Sequence, residues 1–211
     1  MTISSVQKNH LIEKDFDLIR VIEYFSDHNI NAQDTYNWLL NDQINANSIF
    51  LLGYFDFVTS ENERAINLFI NASEKNHTLA QFFVGSCYEN GYGTIKDEKL
   101  AFEYYEKAAN KNYATAQSVI GYCYEKGTGI KRDLKMAFYW YEKASNNGNI
   151  IAKHNLGVFY RSRIGIKKDY SKAFELFKQS ADGGYSGGIT VLGDCYSNAS
   201  VIYKRPLINK G

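Results

Sequence analysis

The sequence predicts an all-α array of paired helices, and three observations carry that prediction. One pattern is written three times at a fixed step, as AQFFVGSCYENGYGTIKDEKLAFEYYEKAANKNYAT, AQSVIGYCYEKGTGIKRDLKMAFYWYEKASNNGNII and AKHNLGVFYRSRIGIKKDYSKAFELFKQSADGGYSG, starting at Ala80, Ala116 and Ala152. A fourth start falls on Gly188, so the period is 36 residues, the mark of an array in which each unit buries its apolar face against a neighbour. Each copy also divides into two segments with apolar residues at helical spacing, parted in the first two copies by Gly-x-Gly. Finally, an aromatic load of 17 Tyr and 13 Phe against a single Pro is what strict repetition of Tyr-rich helices produces.

Taken in order, residues 1–45 are expected to form a helical N-terminal cap. Residues 11–25 carry Leu11, Ile12, Phe16, Ile19, Ile22 and Phe25 at steps of three and four, which marks an amphipathic helix. Asp27-His28-Asn29 breaks it, and residues 35–40 read as a short second helix. Neither matches the repeat, and terminal elements of arrays are usually atypical. The array itself spans residues 46–196. Residues 48–79 are a degenerate first copy, in which Leu52-Gly53 aligns with Val84-Gly85 and Ala65 with Ala101. Gly53 to Ala65 is 12 residues where Gly85 to Ala101 is 16, so four residues of turn are missing, a deletion that loops tolerate far better than packed helices. Full units follow at 80–115, 116–151 and 152–187, then a half unit at 188–196. Arg163 stands where the last full unit should have its first turn glycine. Residues 197–211, with Pro206 and apolar residues Val201, Ile202 and Leu207 out of helical phase, are expected to be an irregular or truncated tail.

Local signals set the helix ends. Asp97, Asp133 and Asp169 fall at matching positions where a side-chain oxygen can accept the unpaired N–H groups of a first turn. Asn76, Asn112, Gly148 and Gly184 close the second helices, as residues that tolerate the left-handed conformation. Gly85, Gly121, Gly157 and Gly193 lie inside the first helices, where each costs about 1 kcal/mol relative to Ala. Their recurrence implies a compensating close approach of the second helix, led by the small residues Ala101, Ala137 and Ala173.

The order alanine, leucine-glycine, tyrosine, Gly-x-Gly, Asp, Lys-Ala, aromatic pair and Ala-Ala resembles the Sel-one-like repeats, relatives of tetratricopeptide repeats. The 36-residue step and the Gly-x-Gly turn favour that type over the ordinary 34-residue tetratricopeptide unit. The resemblance implies a right-handed α/α superhelix, a solenoid whose first helices line a concave face. It also implies an adaptor role in assembling signalling or quality-control complexes. Some fungal relatives carry the array beside a protein kinase domain; no kinase motif occurs here, so such a link would run through a partner. A few secreted relatives are described as binding or hydrolysing β-lactams, which makes a hydrolase of that type the alternative. Those relatives pair two cysteines within each repeat, whereas here each unit has at most one.

Composition narrows the chemistry. A formal charge of +1 supplies no global field to recruit nucleic acid or an anionic membrane, and no apolar run approaches the ~18–20 residues that span a bilayer. Residues 1–21 hold charges at Lys8, Glu13, Lys14, Asp15 and Asp17 and no apolar core of a secretory signal, so a cytoplasmic location is expected. Cys87, Cys123 and Cys195 each lie two residues after a mid-helix glycine and read as buried thiols, since repeats displaced by roughly 8–10 Å cannot converge on one metal ion. His10, His28, His77 and His154 occupy four unrelated contexts, without a neighbouring nucleophile. No catalytic residue, cofactor or metal is expected. The expected site is a face. If the units stack as in this family, positions three, seven and ten of each copy share one stripe: Phe82, Ser86 and Glu89; Ser118, Tyr122 and Glu125; His154, Val158 and Arg161, with Asn90 and Lys126 flanking. These differ between copies while the core positions repeat, which is how a solenoid presents a specific groove to a protein or peptide partner.

Overall fold

The computed structural model describes residues 32–41, 45–162 and 168–203. The helix expected over residues 11–25, Arg163 and the end of the tail lie outside the described residues. Among those described, ten α-helices and no strands are present. They are α1 (Ala32–Asn41), α2 (Ala46–Val58), α3 (Asn62–Glu74), α4 (Thr78–Asn90), α5 (Glu98–Asn110), α6 (Ala114–Lys126), α7 (Leu134–Asn146), α8 (Ile150–Ser162), α9 (Tyr170–Asp182) and α10 (Ser186–Tyr203). The fold is therefore all-α, built of helix-turn-helix repeats. The chain divides into two compact units, Met1–Tyr104 and Tyr105–Gly211.

In the first unit, α2, α3 and α4 bury Ile49, Phe50, Ala65, Phe69, Ala80, Val84 and Cys87 in one core, with Phe57 and Phe83 against it. Leu39 of α1 packs with Leu51 and Leu52 of α2. In the second unit, α7, α8 and α9 bury Ala137, Tyr141, Ala144, Ala152, Leu156, Phe159 and Leu176. The small residue opening each first helix is sealed: Ala80, Ala116 and Ala152 all have 0% exposure. α10 approaches α9 closely through Gly188, where a Cβ would stand 2.7 Å from the Ala181 nitrogen.

The helix ends follow their local chemistry. Asp97 Oδ1 accepts from the Leu100 amide, Asp133 Oδ1 from those of Lys135 and Met136, and Asp169 Oδ1 from that of Lys172. The stop residues Asn76, Asn112, Gly148 and Gly184 all have positive φ, between 64° and 86°. Gly91 and Gly127 terminate α4 and α6 in the left-handed region, at φ 77° and 81°.

A backbone clip closes each turn. The Asp97 amide donates to the Tyr88 carbonyl at 2.9 Å, Asp133 to Tyr124 at 2.9 Å and Asp169 to Tyr160 at 3.1 Å. In the degenerate copy the Glu61 amide donates to Asp56 at 2.8 Å. The same clip thus closes over five residues there and nine elsewhere, which accounts for the four-residue deletion.

Two expectations change. The mid-helix glycines are not met by small residues. A Cβ on Gly53 would stand 3.0 Å from the Phe69 ring, on Gly121 2.7 Å from the Tyr141 ring and on Gly157 2.8 Å from the Phe177 ring. The rings at Gly121 and Gly157 lie four positions beyond Ala137 and Ala173, which were expected to make the approach, so the missing side chain admits an aromatic face. Gly193 has nothing within 4 Å. The segment expected to be irregular from residue 197 is also helical as far as Tyr203; helical hydrogen bonding there needs no apolar phasing.

Candidate functional site

The stripe falls into two sets, one per unit. In the first, α4 carries Phe82, Ser86, Glu89 and Asn90. Phe82 is half-buried, its ring edge-on to Phe83 with centroids 5.9 Å apart. The Asn90 side chain donates to the Ser86 carbonyl at 2.9 Å. Glu89 is half-buried and Asn90 exposed.

In the second unit, α6 carries Ser118, Tyr122, Glu125 and Lys126, and α8 carries His154, Val158 and Arg161. Ser118 is 7% exposed and offers no accessible surface, although the periodicity placed it on the stripe. Tyr122 is 47% exposed, with the Lys126 ammonium 5.7 Å from its ring centroid. Glu125 accepts from the Tyr141 hydroxyl at 2.9 Å and from Lys126 at 2.6 Å, and its carbonyl accepts from Arg132 Nε. Burial foremost, then the Glu125 carboxylate, pushes the Tyr141 phenol well above its ordinary value, so it stays a hydrogen-bond donor. Lys126 is raised by its hydrogen bond to Glu125. His154 lies between Phe177 at 5.5 Å and Tyr185 at 5.2 Å; burial and then Arg161 lower its pKa and favour the neutral ring. Arg161 sits over Phe177, 5.3 Å from the centroid. Val158 is half-buried.

One relation links these sites to the fold. At Gly53, Gly121 and Gly157, the residue four places after the glycine covers the ring that the glycine admits. Phe57 meets Phe69 with centroids 6.1 Å apart, Glu125 takes the Tyr141 hydroxyl, and Arg161 lies over Phe177. A ring contact, a hydrogen bond and a cation–π contact thus occupy equivalent places.

Sequence reasoning missed two polar networks. Gln117, with 0% exposure, donates from Nε2 to the Ala109 carbonyl at 3.1 Å and accepts from Asn147 Nδ2 at 2.8 Å, tying α6 to α5 and to the residue that caps the end of α7. Gln81 in the same register of the preceding copy was the available signal. Asp56, also with 0% exposure, accepts from Arg64 Nε at 2.6 Å and from its NH2 group at 2.5 Å, a fork that raises the Arg64 pKa. Its clue was an acid at the position of Tyr88 in the degenerate copy, which lacks four residues of turn. Cys87 and Cys123 are buried, Cys195 half-buried, and burial pushes the Cys87 thiol up to about 11. Among the described residues no group of His, Cys, Asp and Glu could hold a metal ion, and no helix is long and apolar enough to cross a membrane.

A family model, the Sel1 repeat, matches residues 46–77, 78–113, 114–149 and 150–185. No curated protein matches. Among solved structures, a Sel1 repeat protein from Oxalobacter formigenes is 26% identical, with a TM-score of 0.70 over 84% of this chain and 69% of that one. The protective antigen c5321 of uropathogenic Escherichia coli, which displays an SLR fold, is 28% identical at TM-score 0.72, over 81% of this chain and 37% of that one. YrrB, a TPR protein with an unusual peptide-binding site, shares the fold at 18% identity and TM-score 0.51, over 90% of this chain and 98% of that one.

Proposed function

We propose that this chain, which belongs to the Sel1 repeat family, acts as a non-catalytic scaffold that holds a peptide or partner helix against its first helices. The observation that carries this reading is the contrast between sealed and accessible positions of one repeated helix. Ala80, Ala116 and Ala152 are identical and fully buried. The seventh position changes from Ser86 to Tyr122 to Val158, and at Tyr122 it presents a half-exposed aromatic ring beside Lys126. Aromatics with one polar end are favoured interface anchors. YrrB indicates that helical repeats of this kind can carry a peptide site. An adaptor role in signalling or quality-control complexes, with a protein kinase reached through a partner, is the finer form of the proposal.

Affinity capture tests it. The wild type is set beside the Phe82→Ala/Tyr122→Ala/Arg161→Ala variant, whose folding is checked by circular dichroism. Loss of the captured partners from the folded variant is the expected result; retention of every one of them would overturn the stripe.

A further inference from the structure

We propose that one edge of the second unit is a docking surface for an acidic protein segment, an inference that rests on the scaffold reading and names the partner's chemistry. The two units have opposite charge. Lys and Arg number 7 in residues 1–104 and 17 in residues 105–211, while Asp and Glu number 15 and 8. A near-neutral chain is therefore composed of one part at −8 and another at +9.

Part of the positive excess gathers where first helices turn into second helices. Lys131 and Arg132 lie in the turn after α6, Lys135 in the first turn of α7, Arg161 at the end of α8, Lys168 just before α9 and Lys172 in its first turn, and all six are exposed. α7 packs on both α6 and α8, so the turns of these consecutive repeats fall along one edge of the unit. The acids there are already engaged. Asp133 and Asp169 accept helix amides, and Glu125 holds Tyr141 and Lys126. Among the described residues none of the six cations makes an ion pair. The equivalent turns of the first unit lack such an excess, because Arg64 is taken by Asp56 and Lys96 by Glu98 at 3.4 Å.

Six exposed cations outnumber the turn carboxylates Asp133 and Asp169 and the nearby Glu142, and that excess favours a carboxylate-bearing partner, through charge-assisted hydrogen bonds and faster encounter. Tyr170, 64% exposed with Lys168 5.6 Å from its ring, and Tyr160 under Lys172 at 4.5 Å add ring faces for apolar side chains between the acids. A nucleic acid fits less well, since a long polyanion is opposed by the −8 of residues 1–104 while a short acidic segment need touch only this edge.

The test is selection of a random-peptide phage library on the full chain and on Lys131→Glu/Lys135→Glu/Lys168→Glu, whose replaced side chains are all exposed. Enriched peptides should be net acidic with interspersed aromatics. Their affinity should fall roughly tenfold or more on the charge-reversed variant and should weaken with added salt. Enrichment of neutral or basic peptides would overturn the acidic partner and leave the scaffold reading standing. Enrichment of no peptide would overturn both. Acidic peptides that bind wild type and variant alike would remove this edge as the site, and single-stranded RNA that displaces them at lower concentration would reassign it to nucleic acid.

Discussion

The degenerate first repeat, α2–α3, and the third, α6–α7, solve one problem with different chemistry. Both bring a ring against a mid-helix glycine and both close the turn with an amide-to-carbonyl clip. The third uses nine residues with left-handed glycines at 127 and 129; the first uses five, with a buried Asp56 forked by Arg64. What the repeats share is the glycine–ring seat and the clip. The turn between is free to vary once its polar groups are satisfied, here by an ion pair where glycine is absent.

Substitutions can break or sharpen that comparison, and the seat should give the largest effect. Gly121→Leu drives a side chain into the Tyr141 ring and should lose about 3 kcal/mol, the upper end for overpacking, seen as a large drop in thermal midpoint. An unchanged midpoint would sink the glycine–ring account. Arg64→Ala leaves the Asp56 carboxylate buried and unpaired and should lose about 3 kcal/mol by urea unfolding, reduced to the extent that water reaches the exposed guanidinium side. No turn residue of the third repeat should be as sensitive. Tyr141→Phe keeps the ring in its seat and removes only the bond to Glu125, so about 1 kcal/mol is expected. A loss equal to that of Gly121→Leu would mean the hydroxyl, not the ring, holds the seat. Gly193→Ala, with open space around it, should reverse the sign and stabilise by about 0.5–1 kcal/mol. Smallest is a rate effect. With its thiol held up to about 11 by burial, Cys87 should react with a disulfide reagent more slowly than half-buried Cys195 at pH 8, gaining as pH rises toward 11. Equal rates would show that the first-unit core opens readily.

Helix termini were legible because their causes are local. Asp133 caps amides within three residues of itself, and Asn112 needs only a positive φ of its own. What escaped depends on distance. Gln117 meets Asn147 across 30 residues, and the partner of Gly121 is a ring reached only once two helices pack, so residue size alone pointed to Ala137. Helical spacing puts Ser118 and Tyr122 on one nominal face, yet Tyr122 is half exposed while Ser118 is covered by packing that spacing does not encode.

The clip has a practical consequence for engineering. Because the Asp133 amide and Tyr124 carbonyl stay joined at 2.9 Å just as their counterparts do over a shorter span, the chain between them is a cassette. A foreign loop grafted between Gly129 and Lys131 would start and finish on anchored backbone. Each doubling of its length should add only about 0.6 kcal/mol of closure entropy, leaving the helices on either side in register.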